Sequence, residues 1–423
     1  MRETNDPLRF ETTEGPAGLR VVRQAPPAGS ASFSATYVAP AGWGFDPDGD
    51  EGTARIVNQL VTSGAGSRDR LELARFLDRT GATLTAQVDP ESAEISIWGP
   101  SDVWPTLLGV LADTVLRPRY ADSDLARVRR QLAERQLREL AQPASRVERE
   151  LLHAIFAEGH PYRGTGIGDA RSVGRIGRGR IDRFHERHFT ADGAVLVVTG
   201  PPSLATVRRT TRRLFATLST TRAPSLSVPA PRPPRRREIR VDLPGRAQVE
   251  VRVGGASLAR GDAHFPGAFL ANEVLGGAML LSRLFRRVRS RGGLAYHASS
   301  HVEAMRFGGY WGAQAGTGAD RWRKVVPMLL EEVERLSGEN IPKGELNLVR
   351  ESRIGEIALS LESTSDAHEL AVDAAYHGFP EDHWIRWPTV LRALTPREVR
   401  AAAEVALDAR NSVTALAGPI GST

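Results

Sequence analysis

Arg55, Asn58 and Gln59 stand in the stretch GTARIVNQLV at spacing i, i+3, i+4. On a helix that spacing sets three side chains next to one another on one face. With histidines at 55 and 59 and a glutamate at 58, such a face would hold zinc through two imidazoles and activate water through the carboxylate. Here the three positions carry a guanidinium and two neutral amides. A guanidinium stays cationic and has no lone pair to give, and an asparagine cannot take a proton from water. The spacing of a hydrolytic centre is present without its chemistry.

Other candidates read as structural. His185 and His188 in FHERH have a metal-compatible spacing but no accompanying carboxylates, and they fall at a polar helix end. His297 and His301 share one face of a strand-like stretch and read as surface residues. The glycine-rich VGRIGRGR (173–180) lacks the Lys-Ser/Thr end of a phosphate loop and follows no apolar strand. Asp46, Asp48 and Asp50 alternate in FDPDGDEG, but without the twelve-residue spacing of a calcium loop they read as a solvated turn. Trp311, Trp322, Trp384 and Trp387 are expected to pack helices onto sheets.

Composition sets the outer limits. At 423 residues, with 41% hydrophobic and 25% charged residues, the chain has the make-up of a globular protein of more than one domain. The absence of cysteine excludes disulfides, thiol catalysis and thiolate metal sites together. Only two of the 56 basic residues, Lys324 and Lys343, are lysine. The arginines lie on helices beside acids with no aromatic-interleaved basic stripe, so no nucleic-acid partner is expected. No apolar run reaches membrane-spanning length, and MRETNDPLRF lacks the apolar core of a signal peptide, which points to no membrane and to the cytoplasm.

The elements that must position these residues come in two copies. HFTADGAVLVVTGP (188–201) and ALDARNSVTALAGP (406–419) each read as a helix end, a turn, an apolar strand and Gly-Pro, at an offset close to half the chain. The same offset aligns IGRGRIDRFHERHF (176–189) with LTPREVRAAAEVAL (394–407), both with helical periodicity. Between the copies, TRAPSLSVPAPRPPRRR (221–237) reads as an extended proline-rich linker. In the first half, GLRVVRQ and ASFSATYVA read as strands, EGTARIVNQLVTSG and SRDRLELARFLDRTG as helices, the latter stopped by Gly81, and ATLTAQVDPESAEISIWGP as a hairpin. The second half repeats the plan. The expected fold class is α+β: two homologous domains, 1–217 and 238–423, each an antiparallel-rich sheet packed with helices, joined by a linker at 218–237.

The order of these features resembles the pitrilysin/insulinase family of zinc metallopeptidases over nearly the whole chain. The resemblance rests on GAGSRDRLELARFLDRTGA after the helix of Arg55, on AEGHPYRGTGIG (157–168), and on LANEVLGG. It also rests on SRLFRRVRSRGGLAY (282–296) and ALSLESTSDAHELAVDAAYHGFP (358–380). It implies that Arg55 and Gln59 occupy the zinc-histidine positions and Asn58 that of the catalytic glutamate. The distal ligand position falls on Arg135, in the stretch DLARVRRQLAERQLREL well downstream of Gln59. Val128, Leu132 and Arg135 fall on one stripe of their helix, so Arg135 is expected to face inward.

Arg289 and Tyr296 resemble the arginine–tyrosine pair that the family carries in the half opposite the zinc. A guanidinium there grips a peptide carbonyl or carboxylate, and a phenol hydrogen-bonds the developing oxyanion. The resemblance implies half of a clamshell and a heterodimer in which a homologous H-x-x-E-H chain holds the zinc. This chain would hold no cofactor, supply Arg289 and Tyr296 in trans, and take peptides or unfolded polypeptides as substrates. A proteolytically silent assembly protein or a chaperone-like peptide binder of the same fold is the alternative.

Overall fold

The computed structural model describes residues 6–231 and 236–421. The first residues of the segment read for a signal peptide, and residues 232–235 of the linker's basic end, lie outside the described residues. Strands β1 (Phe10–Glu14), β2 (Arg20–Gln24) and β3 (Ser32–Ala39) come first, then helices α1 (Thr53–Val61) and α2 (Arg70–Thr80). The hairpin β4 (Thr83–Val88) and β5 (Ala93–Pro100) leads into α3 (Trp104–Leu116), α4 (Asp122–Ala141) and α5 (Pro143–Ile155). The short α6 (Ala170–Arg175) and α7 (Arg178–His188) precede β6 (Val195–Thr199) and α8 (Leu204–Leu214). The second half opens with β7 (Arg237–Asp242), β8 (Gln248–Ser257) and α9 (Phe265–Asn272), followed by the long hairpin β9 (Ala295–Met305) and β10 (Gly308–Gly318). Helices α10 (Trp322–Gly338), α11 (Lys343–Leu359), α12 (Thr364–Tyr376), α13 (His383–Ala393) and α14 (Pro396–Ala406) lead to β11 (Val413–Gly418).

The repeat seen in the sequence is a repeat of topology. The first sheet has the order β1-β2-β6-β3-β5-β4 and the second β7-β11-β8-β10-β9. β6 runs parallel to β2 and antiparallel to β3, and β11 stands in the same relation to β7 and β8. The offset found in the sequence carries Val195 onto Val413, the first residue of each of these inner strands. Local signals hold: α2 is opened by a capping box between Asp69 and Glu72 and ends on Gly81 at φ 63°.

Each sheet belongs to its own compact unit, and neither unit is a contiguous half of the chain. One unit comprises the residues up to Gln136, Gly166–Ser227 and Glu356–Trp387; the other comprises Leu137–Thr165, Val228–Gly355 and the residues from Pro388 onward. This differs from the expected split into 1–217 and 238–423. The reason is burial. VLVVT in β6 is buried at every position, because Leu196 and Val198 face one core while Val195 and Val197 face another. The first core is closed by helices of the same half, α1, α3 and α7 among them. The second is closed by Ala371, Val372, Ala374 and Ala375 of α12, from far downstream. His368 of α12 fastens this cover: its ring nitrogens bond Thr199 Oγ1 at 2.7 Å and Thr36 Oγ1 at 2.8 Å. Reciprocally, Val147, Leu151, Leu152 and Ile155 of α5 cover Val413, Ala415 and Ala417 of β11 in the second sheet. No helix among the described residues is long and apolar enough to cross a membrane.

Candidate functional site

The loop before α1 fixes the helix that carries Arg55, Asn58 and Gln59. Asp46 reaches back to its first turn, where Oδ2 accepts from the Gly52 N–H and Oδ1 from the Ala54 N–H, both at 2.7 Å. Burial pushes the Asp46 carboxyl up to about 7, against those two donors and the nearby Arg55 charge. Gly52 sits at φ 102°, and a Cβ there would lie 2.8 Å from the Ile167 carbonyl oxygen. Asp46 is therefore a half-buried cap, while Asp48 stands exposed in the turn read from FDPDGDEG. The legible signal was an aspartate a few residues ahead of an apolar-periodic segment.

The three positions then diverge in role. The Arg55 guanidinium lies over the Trp43 ring, 4.6 Å from its centroid. Asn58 is buried, and its Nδ2 donates to the Gln87 carbonyl of β4 at 2.7 Å, tying the helix to the edge strand of the sheet. Gln59 is half-buried. Arg135 contradicts the expectation of an inward-facing residue. Leu125, Val128 and Leu132 of α4 are buried, but Arg135 is exposed and the half-buried position one turn beyond Leu132 is Gln136. The stripe continues at i+4, and a step of i+3 from Leu132 rotates out of it. Among the described residues no three His, Asp or Glu side chains gather as metal ligands. A guanidinium stacked on an indole and a carboxamide already bonded to a carbonyl do not fit zinc.

Arg289 and Tyr296 are placed by a different device. Phe285–Arg291 forms a wide π-type turn whose Val288 is buried, leaving Arg289 exposed next to it. The turn closes through the Gly293 N–H, which donates to the Arg289 carbonyl at 3.0 Å, and the Leu294 N–H, which donates to Val288. Gly293 takes φ 57°, as a sharp turn requires; Gly292 is instead needed for close approach, since a Cβ there would lie 2.7 Å from the Arg287 carbonyl. Tyr296 follows at the start of β9, an edge strand, 67% exposed. Other arginines of this segment are tied down: Arg283 and Arg286 pair with Glu345, and Arg287 with Glu331 and Glu332. Arg289 lies over Phe285 at 5.0 Å, and neither its side chain nor that of Tyr296 makes a hydrogen bond or ion pair among the described residues.

The histidine pairs each have local duties. His185 Nε2 bonds the Val115 carbonyl at 2.9 Å and His188 Nδ1 the Pro40 carbonyl at 3.0 Å, and burial lowers both to about 4. His297 and His301 do share a face of β9, with their rings laid over Gly316 and Gly312 of β10. They are not idle surface residues. His297 approaches Glu250 at 3.4 Å, and His301 packs edge-on against Tyr310.

Residues 20–169 match the profile described as insulinase (peptidase family M16), and residues 175–353 match that of the peptidase M16 inactive domain. The chain belongs to peptidase family M16. An uncharacterized zinc protease of Mycobacterium tuberculosis is 27% identical to this M16 chain over 422 residues, covering 96% of it and 92% of the relative. The beta subunit of the mitochondrial processing peptidase of Neurospora crassa is 24% identical over 375 residues, covering 86% and 78%. Among solved structures, the M16 inactive domain from Pseudomonas fluorescens superposes with a TM-score of 0.91 at 21% identity over 98% of both chains. A protease from Helicobacter pylori gives 0.87 at 18% identity, over 97% and 99%. These likenesses at low identity establish the fold. Helix 53–61 of the M16 chain, TARIVNQLV, carries no histidine, aspartate or glutamate.

Proposed function

We propose that this M16 chain is the non-catalytic, substrate-binding subunit of a heterodimeric zinc metallopeptidase. Its partner is a homologous chain with an intact H-x-x-E-H helix, and Arg289 and Tyr296 serve that partner's active site in trans. The observation that carries the reading is the contrast between two clusters. The α1 positions have been absorbed into structure, Asn58 into a strut to β4 and Arg55 into a stack on Trp43. Arg289 and Tyr296 remain exposed, and their side chains make no hydrogen bond or ion pair among the described residues. A positioned guanidinium and phenol suit a peptide carbonyl and the oxyanion formed when water attacks it. The named zinc proteases among the relatives, and the processing-peptidase subunit, are consistent with a family in which such division of labour occurs.

Substrates on this reading are peptides or unfolded polypeptides, and the complex works in the cytoplasm. Mixing the purified chain with an H-x-x-E-H homologue from the same host, and following cleavage of a quenched peptide, tests it. The mixture is expected to cleave while this chain alone does not. Cleavage by the homologue that is indifferent to this chain would leave only an assembly or chaperone-like role.

A further inference from the structure

Helix α8 carries a charge pattern that neither the fold nor the proposed activity uses. Its sequence is LATVRRTTRRL, capped by Ser203, whose Oγ accepts from the Thr206 N–H. Val207, Thr211 and the following Phe215 are buried and seat it on the first sheet. The opposite face presents Arg208, Arg209, Arg212 and Arg213, all exposed. They form two files, 208/212 and 209/213, with about 6 Å between successive side chains in each. From Ser203 to Leu218 there is no acidic residue. None of the four side chains makes a hydrogen bond or ion pair among the described residues.

That isolation is local. On α7, Arg178 pairs with Asp182 and Arg180 with Asp50, while Arg23 on β2 pairs with Glu11 on β1. The helix dipole favours Arg212 and Arg213 near the C-terminal end. It does not account for the doubled files, because like charges one turn apart oppose helix formation. Four guanidinia in two parallel rows, unopposed within their own helix, are complementary to carboxylates spaced along an extended or helical chain.

We propose that the arginine face of α8 docks an acidic polypeptide segment. The competing polyanions fit less well. A lipid surface calls for a free apolar face, and here Val207, Thr211 and Phe215 are committed to the core. Single-stranded nucleic acid calls for stacking platforms, and the exposed face of α8 holds no aromatic residue. A duplex contacted by four cations falls below the roughly six to ten phosphate contacts of salt-sensitive binders. The inference is independent of the trans role of Arg289 and Tyr296, since the isolated full-length chain is the test material.

Fluorescence anisotropy with a labelled Glu/Asp-rich peptide reads it directly. Affinity is expected to fall with salt. It is expected to weaken about tenfold or more in the variant Arg208→Gln, Arg209→Gln, Arg212→Gln, Arg213→Gln, in line with four exposed ion pairs lost. The two single-file double variants should each give an intermediate loss with an unchanged melting temperature. Replacing all four by lysine should retain most of the binding. A control with Arg178→Gln and Arg180→Gln on α7 should bind as the parent does. Three outcomes overturn the proposal: peptide affinity indifferent to the glutamine variants, an equal loss in the α7 control, or tighter binding to duplex DNA or phosphatidylserine vesicles than to the peptide.

Discussion

Asn58 does structural work on α1. Its amide donates to a main-chain carbonyl in a buried setting, a role that a carboxylate cannot fill. Writing the motif back with Arg55→His, Asn58→Glu, Gln59→His and Arg135→Glu therefore sets a glutamate against the Gln87 oxygen. The variant is expected to lose about 1–3 kcal/mol of stability, the cost of an unsatisfied buried polar group. It should bind no stoichiometric zinc by metal analysis, since Arg135 lies on the exposed side of α4. Tight zinc in that variant would sink the account. Arg289 and Tyr296 behave oppositely, being exposed and without polar partners among the described residues. Arg289→Ala or Tyr296→Phe should leave stability within about 0.5 kcal/mol. Either change should cut turnover of the reconstituted complex roughly ten- to a thousandfold, as for one lost transition-state donor. Unchanged turnover would remove both from the site.

At the scale of elements, His368 adds a buried polar tie to the apolar packing of α12 on the first sheet. Its ring is buried between Thr36 and Thr199, and desolvation lowers it to about 3. In the unfolded chain a histidine titrates near 6.5. Between those values the unfolded state takes up a proton that the folded state refuses. The stability supplied by neutral His368 is thus complete above about 6.5 and is lost as pH falls toward 3, by up to about 1.4 kcal/mol per pH unit. Asp46 and Glu94, both pushed up to about 7 by burial, act with the opposite sign, losing stability as pH rises toward 7. The clean readout is the stability difference between the parent and His368→Asn in denaturant titrations. It should be about 1–3 kcal/mol at pH 8 and shrink steadily below pH 6.5. A gap constant with pH would show that the imidazole is not what holds α12.

For the whole molecule, the consequence of the crossed segments is that the sequence halves are not folding units. A fragment ending at residue 217 lacks α12 and leaves Phe10, Val22, Val38, Val195 and Val197 without cover. An exposed apolar sheet face of this kind drives aggregation. The fragment is expected to elute as aggregate or bind a hydrophobic dye, whereas co-expression with the remainder of the chain should recover a soluble pair. A well-behaved monomeric fragment would overturn the described division. The same scale decides partnership. An intact H-x-x-E-H homologue should form a one-to-one complex with this chain by sedimentation, and the complex alone should carry zinc and activity.

The sequence by itself determined the family, the duplication of the plan, and which side-chain chemistry stands at 55, 58 and 59. These follow from residue identity and from spacing along single elements, where period and turn residues leave little choice. Tertiary structure alone decided which segment closes which sheet. β6 is apolar on both faces, but nothing local says that its second face is met by α12, a helix from the other half of the chain. It decided too that Asp46 is a half-buried cap, and that Arg135 lies outside the stripe of Leu125, Val128 and Leu132. Helical phase tells which residues share a face; only the packing partner tells where that face ends.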